Sequence, residues 1–236
     1  MIDIHAHILP FIDDGAVSWE EAVEMCNMAY NDGIRAIVAT PHIRDGLYPN
    51  KKNEIVRKVE ELRERIEVPL SVLVGADVRV SAGLVGRIKA GTIPTINDKN
   101  YLLLELPFDH VPPNFETLIF DLQMNGITPV LTHPERCLWI KGNLKPILSR
   151  FIELGIIIQM NAGSLTGAFG KEAKFMAGEM LKAGLVHVVA SDCHSTKDRP
   201  PVLSKALTIM EAMIGIHYRK IVYDNPEKII EGLPIT

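Results

Sequence analysis

The chain has 236 residues, 47% of them apolar and 6% aromatic, with a net charge of −4. That length suits one domain spanning 1–236 with an aliphatic interior rather than an aromatic β-sandwich core. The charge excludes a basic nucleic-acid surface, no apolar run approaches the ~18 residues needed to span a bilayer, and Cys26, Cys137 and Cys193 are too scattered to suggest a disulfide framework.

Polar residues at positions 3, 5 and 7 interrupt any leader-like apolar stretch, which predicts a cytoplasmic protein without membrane insertion. "MIDIH" reads as a first strand. Ser18 and Glu21 make a capping box, opening a helix that Gly33 closes. "IRAIVATPH" is a second strand. From Asn53 to Glu67, Ile55, Val59, Leu62 and Ile66 recur at helical spacing, with Glu54–Lys58 and Glu61–Arg65 at i,i+4. "PLSVLVGAD" is the third strand; a short helix and the turn-rich "GTIPTINDKN" precede "YLLLEL", the fourth. A helix from about Pro113 to Asn125 leads to the strand "ITPVLTH", and one from about Leu144 to Leu154 to the strand "IIIQMN". A helix from about Lys171 to Ala183, closed by Gly184, precedes the last strand, "LVHVVASDCH". A helix over Pro201–Met213 and a small one in "DNPEKIIEG", with Pro226 in its first turn, complete the pattern. Seven strands alternating with helices imply parallel pairing. With no glycine-rich dinucleotide fingerprint after the first strand, the expected fold class is α/β, a closed or distorted barrel.

In such barrels the chemistry gathers at the C-terminal strand ends. His5 and His7 end the first strand, His42 the second, Asp77 the third, Glu105 the fourth, His133 the fifth, and Asp192 and His194 the last; Asp14 lies in the loop after the first strand. Taken singly, each has a plain reading: a strand-end histidine is often solvated, Asp13-Asp14-Gly15 is a turn, and Asp192 can cap a helix. Together, nine imidazoles and carboxylates exceed the four ligands of a structural zinc site. They point to two or three ions of zinc, iron or manganese sharing bridging carboxylates. His187 opens the last strand at the opposite rim and reads as structural. His110 and His217 read as solvated.

"HAHILPFIDDGA", "ATPH", "GAD", "LLLEL", "LTHPER", "QMNAGS" and "ASDCHS…DRPP", in that order from residue 2 to about 230, resemble the polymerase and histidinol phosphatase (PHP) superfamily. Within it they are most similar to bacterial protein-tyrosine phosphatases of capsule and exopolysaccharide operons, the CpsB/YwqE type. The resemblance implies a distorted (β/α)7 TIM-like barrel, the PHP fold, with a three-ion centre, manganese first and iron or zinc as alternatives. Carried over residue by residue, His5, His7, Asp77 and Asp192 hold one ion. Asp77, Glu105 and His133 hold a second, and Asp14, His42 and His194 a third. Arg136 in "HPER" and Arg199 in "DRPP" match phosphate-contacting arginines. The implied substrate is a phosphotyrosine protein, a tyrosine autokinase that controls polysaccharide assembly. This chain has Gly75-Ala76-Asp77 where the family usually has G-A-E, one methylene shorter at the expected bridge.

The implied chemistry is phosphomonoester hydrolysis by a metal-activated water, with the two arginines on the phosphoryl oxygens. Arg44 and Tyr48, in the loop after the second strand, are candidates for substrate contact. Three rivals stand beside it. Cys193 to Arg199 spells C-x5-R, the spacing of cysteine-dependent tyrosine phosphatases, but without the glycines that let a backbone cradle phosphate. A small phosphoester such as histidinol phosphate, or an amide hydrolysed by a metal-dependent amidohydrolase, would suit a related site, although no strand here ends in the lysine that amidohydrolases usually bring. A non-catalytic metal-binding domain would be expected to lose ligands.

Overall fold

The computed structural model describes residues 1–235. Nine strand segments occur among them: β1 (Ile2–Ala6), β2 (Ala36–Ala39), β3 (His42–Ile43), β4 (Ser71–Val74), β5 (Asp77–Arg79), β6 (Tyr101–Glu105), β7 (Thr128–Thr132), β8 (Ile157–Asn161) and β9 (Val188–Ala190). They form two sheets, ordered β1-β2-β4 and β3-β5-β6-β7-β8-β9, and every pairing between them is parallel. The count exceeds the expected seven because two strands are interrupted. The second breaks at Thr40-Pro41, where proline has no N–H for the ladder. The third breaks at Gly75-Ala76, where a Cβ on Gly75 would lie 2.7 Å from Val38 Cγ1. Hydrogen bonds continue across these breaks, from Gly75 N to Ala39 O at 3.0 Å and from Asp77 N to Pro41 O at 3.2 Å. They also join the far edges, from Asp192 N to His5 O and from His7 N to Cys193 O, each 2.9 Å.

The helices are α1 (Trp19–Asn31), α2 (Lys52–Arg65), α3 (Leu84–Lys89), α4 (Phe115–Met124), α5 (Leu144–Glu153), α6 (Ala162–Thr166), α7 (Gly170–Lys182), α8 (Ser204–Ile214) and α9 (Asn225–Glu231). Half of the capping box forms, Ser18 Oγ accepting from Glu21 N at 3.2 Å, while Glu21 Oε2 accepts from Val17 N, one residue before the cap, at 3.0 Å. α2 stops at Arg65, short of the expected Glu67, because the chain extends at Ile66 (ψ 138°) ahead of Pro69. α8 starts at Ser204, three residues later than expected, where Asp32 from the end of α1 accepts from Leu203 N at 2.7 Å and Ser204 N at 3.0 Å. Sequence periodicity did not resolve α6, whose five residues span too little of a helical repeat, nor the π-helical turn Lys220–Asp224 before α9.

The core has two layers, and strand alternation explains them. A small cluster contains Ile4, Val38, Tyr101, Leu103, Val130, Val188 and Ala190, with Ile229 of α9 against it. The larger cluster holds the alternate strand residues, such as Ile37, Leu102, Leu104, Leu131 and Val189, packed against the helices. Counting in twos from the small cluster toward the strand C-termini gives Val38–Thr40–His42, Leu103–Glu105 and Val188–Ala190–Asp192. The face that is apolar at one end thus becomes polar at the other. Two places break the alternation, and both lie at the site.

Candidate metal centre

The first break is in β1. Ile4 belongs to the small cluster, so strict alternation would turn His5 to the opposite face. Instead the β1–β2 register pairs Asp3 with Ile37 but Ala6 with Ala39, three steps against two. This one-residue bulge resets the phase, and Thr40 secures it, its Oγ1 accepting from Ala6 N at 2.8 Å. His5 and His7 then converge, their Nε2 atoms 3.1 Å apart. The second break follows β7, where Val130 lies in the small cluster and His133 is one residue out of phase with it. His133 adopts φ 36°, a left-handed conformation unusual for its residue type, and comes within 5.7 Å of the His5 ring, centroid to centroid. Asp192 is also left-handed, at φ 53°.

All nine predicted ligand residues come together at one end of the strands. Their donor atoms form groups in which every atom lies within 4.8 Å of the others: His7, Asp14, His42 and His194; His5, His7 and Asp192; His5, Asp77 and His133; and His42, Asp77 and Glu105. The grouping differs in detail from the sets implied by the sequence resemblance. His7 joins the expected third set, and Asp77 links two groups that divide His133 from Glu105. Asp77 Oδ2 is 3.8 Å from His5 Nε2 and 3.1 Å from His42 Nδ1.

Polar side chains behind the nine fix which atoms face the centre. Asp13 Oδ2 accepts from His7 Nδ1 at 2.7 Å and from His42 N at 2.9 Å, while Oδ1 accepts from Gly15 N at 2.9 Å. The turn is tight: a Cβ on Gly15 would fall 2.2 Å from the His7 carbonyl oxygen. Gln159 Oε1 pairs with His5 Nδ1 at 2.8 Å, its Nε2 donates to Asn161 Oδ1 at 2.8 Å, and Asn161 Nδ2 donates to Asp192 Oδ2 at 2.6 Å. These contacts leave His5 Nε2 and His7 Nε2 as the inward-facing nitrogens. The sequence reading passed over Asp13 as a positioning group and gave Gln159 and Asn161, within "QMNAGS", no role of their own, although the last two alternate along "IIIQMN" in step with the small cluster.

The electrostatics of this arrangement call for positive charge. Burial and the neighbouring Asp77 push Glu105 up to about 7, although Arg79 Nη1 lies 3.5 Å from its Oε2. Burial pulls His133 down to about 3 and His194 to about 2, so both present neutral imidazoles. Burial would raise Asp77, but the charges of His5 and His42 override it and hold the carboxyl well below its usual range. Burial likewise opposes ionisation of the His7–Asp13 pair, yet their mutual charge and hydrogen bond move His7 up to about 10 and Asp13 down to about 2. Asp77 Oδ2 and His133 Nδ1 are buried without a hydrogen-bond partner among the described residues. Two facing imidazole nitrogens, clustered carboxylates and unpartnered buried polar atoms are the donor set that divalent cations satisfy, so these residues fit the implied ions.

Both predicted arginines reach the centre. Arg136 Nη1 is 3.0 Å and Arg199 Nη2 2.6 Å from Asp192 Oδ2. Phe169 lies against both, its ring centroid 4.4 Å from the Arg136 guanidinium carbon and 5.2 Å from that of Arg199. Phe108 lies 5.2 Å from Arg136. Neither aromatic was singled out from sequence. Arg44, Leu47 and Tyr48 line the same cleft as His42, Glu105, His133, Asp192 and the two arginines. The Cys193 thiol is wholly buried and, chiefly by that burial, raised well above its ordinary value, so the C-x5-R spacing does not present a thiolate. His187 sits at the far end of β9, where Nδ1 accepts from Ile158 N at 3.0 Å, in the expected structural role.

The family model described as "Capsular polysaccharide synthesis, CpsB/CapC" matches residues 1–231. The chain belongs to the CpsB/CapC family. It is 37% identical to the tyrosine-protein phosphatase YwqE of Bacillus subtilis, over 100% of this chain and 93% of that protein. It is 34% identical to the tyrosine-protein phosphatase CpsB of Streptococcus pneumoniae, over 98% of each. A crystal structure from work on YwqE and CpsB, described there as unique metal-dependent tyrosine phosphatases, matches with TM-score 0.95 at 37% identity, covering 100% of this chain and 96% of that one. The phosphotriesterase homology protein of Escherichia coli matches with TM-score 0.58 at 12% identity, over 97% and 98% of the two chains, a likeness of fold alone.

Proposed function

We propose that this CpsB/CapC family member is a metal-dependent protein-tyrosine phosphatase, hydrolysing phosphotyrosine on a bacterial tyrosine autokinase that controls capsule or exopolysaccharide synthesis. The observation that carries the reading is the convergence of nine metal-type donors at one end of the strands, six of them lining one cleft with two guanidiniums. The names of its relatives supply the substrate class. The bonds from β1 to β9 and across the breaks in the second and third strands support one distorted (β/α)7 barrel within a single domain. No described helix is long and apolar enough to cross a membrane; with three free, buried cysteines, this suits the proposed cytoplasmic location. Mixed imidazole and carboxylate donors suit manganese, with iron or zinc as alternatives.

The four donor groups would hold the ions, with Asp77 shared between two of them. When bound, such ions supply positive charge to phosphoryl oxygens and acidify water. The chain's own groups do the rest. Asp13 and Gln159 hold the imidazoles of His7 and His5 with Nε2 inward. Arg136 and Arg199 offer N–H groups to the phosphoryl oxygens as charge redistributes, and Phe169 and Phe108 limit their swing. A phenolate leaves readily, so little acid assistance is needed. The test is hydrolysis of a phosphotyrosine peptide by purified protein, before and after chelation, with Mn2+ added back. Loss on chelation and recovery with metal is expected. Activity indifferent to chelator but abolished by iodoacetamide would refute the reading.

A further inference from the structure

Beside the metal-lined cleft lies a second one of about 440 Å³, walled by Leu138, Phe169, Ala173, Phe175 and Met176. Arg136 lines both clefts. Leu138 and Phe175 at its rim are 65% and 67% exposed, a cost for two large apolar side chains so close to a polar site. Such a volume lies in the range of small-ligand pockets, roughly 300–1,000 Å³, enough for one large side chain and the main chain carrying it. The ionic lining is unbalanced. Lys141 pairs with Glu172 and Arg136 with Asp192, and Glu135 is held by Asn161 N and Ser164 Oγ, whereas Lys171 at the same mouth has no ion-pair partner among the described residues.

We propose that this cleft is a specificity subsite of the phosphatase, taking a large apolar side chain, flanked by an acidic residue, from the same peptide that presents its phosphotyrosine to Arg136 and Arg199. The proposal rests on the phosphotyrosine reading above. Three observations select this occupant. The apolar walls favour an aliphatic or aromatic side chain. Lys171 at the mouth favours an acidic neighbour and disfavours a basic one. The shared wall at Arg136 places the subsite within reach of a chain whose phosphate sits on that guanidinium.

The experiment compares kcat/KM for paired phosphotyrosine peptides that carry the same flanking glutamate and differ only in leucine or glycine at the other flanking position, and for p-nitrophenyl phosphate, which has no flanks. Filling or emptying an apolar pocket is worth about tenfold or more in such discrimination. The wild type should therefore prefer the leucine peptide by about that factor. The double variant Leu138→Ser/Phe175→Ser alters only exposed side chains, and Ala173→Phe fills the cleft. In each the preference should fall to within about twofold, with p-nitrophenyl phosphate hydrolysis unchanged. A wild-type ratio near one, or a preference that survives both variants, overturns the subsite while leaving peptide hydrolysis intact. Hydrolysis of p-nitrophenyl phosphate with none of any phosphotyrosine peptide would overturn the phosphotyrosine reading itself, and the subsite with it.

Discussion

Asp13 is the side chain whose replacement tests most directly how the centre is organised. Its two oxygens face three donors: His7 Nδ1 and His42 N on Oδ2, at 2.7 and 2.9 Å, and Gly15 N on Oδ1, at 2.9 Å. Asparagine has the same shape but only one acceptor. If its oxygen faces His7 and His42, its amide opposes Gly15 N–H. If it is turned over, the amide opposes His42 N–H and drives the His7 proton to Nε2, the nitrogen 3.1 Å from His5 Nε2. Either way a buried N–H is stranded, at a cost of about 1–3 kcal/mol, which lowers the melting temperature by about 2–4 °C per kcal/mol in a domain of this size. Loss of a partner behind a ligating histidine costs roughly 10–100-fold in metal affinity. Asp13→Asn should therefore melt earlier in the metal-free state and need roughly that much more Mn2+ for half-maximal p-nitrophenyl phosphate hydrolysis. Asp14→Asn, at an exposed carboxylate, should also raise the Mn2+ requirement, without the melting shift. An Asp13→Asn protein with wild-type melting and wild-type Mn2+ dependence would refute the argument.

Three further outcomes follow from the geometry. Burial raises Glu135 from 4.5 to about 7, against hydrogen bonds from Asn161 N and Ser164 Oγ. The unfolded chain releases this proton at lower pH than the folded one, so the group lowers stability as pH rises from 4.5 to 7, by up to roughly 3 kcal/mol. Glu135→Gln should flatten metal-free denaturant stability across that window, and an unchanged pH slope would count against it. Phe169→Leu removes two cation–π contacts worth about 0.5–1 kcal/mol each; it should raise KM for p-nitrophenyl phosphate several-fold more than it lowers kcat, with Phe169→Tyr restoring the wild-type value. His5→Ala and Asp192→Ala should abolish metal-dependent hydrolysis while Cys193→Ser keeps most of it; the reverse pattern would move the chemistry to the thiol.

The elements were legible because short apolar runs and helical periods are strong in this chain: Tyr101-Leu102-Leu103-Leu104 marks a strand, and Glu105 its end. The ligand residues were legible because they end those strands. What escaped were the departures from period. No residue type marks the bulge between Asp3 and Ala6, since it arises from pairing with a strand some 30 residues away. The left-handed His133 depends on the turn that follows it. The supporting residues were hidden for a related reason. Gln159 and Asn161 look like ordinary polar positions until the order of the strands sets them behind His5 and Asp192, and Phe169 follows a short helix that periodicity could not resolve.

Asp192 ties these parts into one device. Its Oδ2 takes N–H groups from Asn161 and Arg136, at 2.6 and 3.0 Å, and lies 2.6 Å from Arg199 Nη2, which donates to the Asp192 carbonyl oxygen at 2.9 Å. Its Oδ1 faces the imidazoles of His5, His7 and His194, at 3.4, 3.5 and 3.7 Å. One oxygen therefore faces the guanidiniums proposed to hold phosphate and the other the imidazoles proposed to hold metal. Burial alone would raise this carboxyl, but the surrounding positive charge, His5 foremost, keeps it well below its ordinary value. A phosphoryl group that engages the arginines must share them with Asp192. Asn161, which carries no charge to offer a phosphate, is the donor that stays with Oδ2 and keeps Oδ1 aimed at the centre. In the proposed phosphatase, substrate binding and metal geometry would be coupled through this one side chain, whose backbone is left-handed.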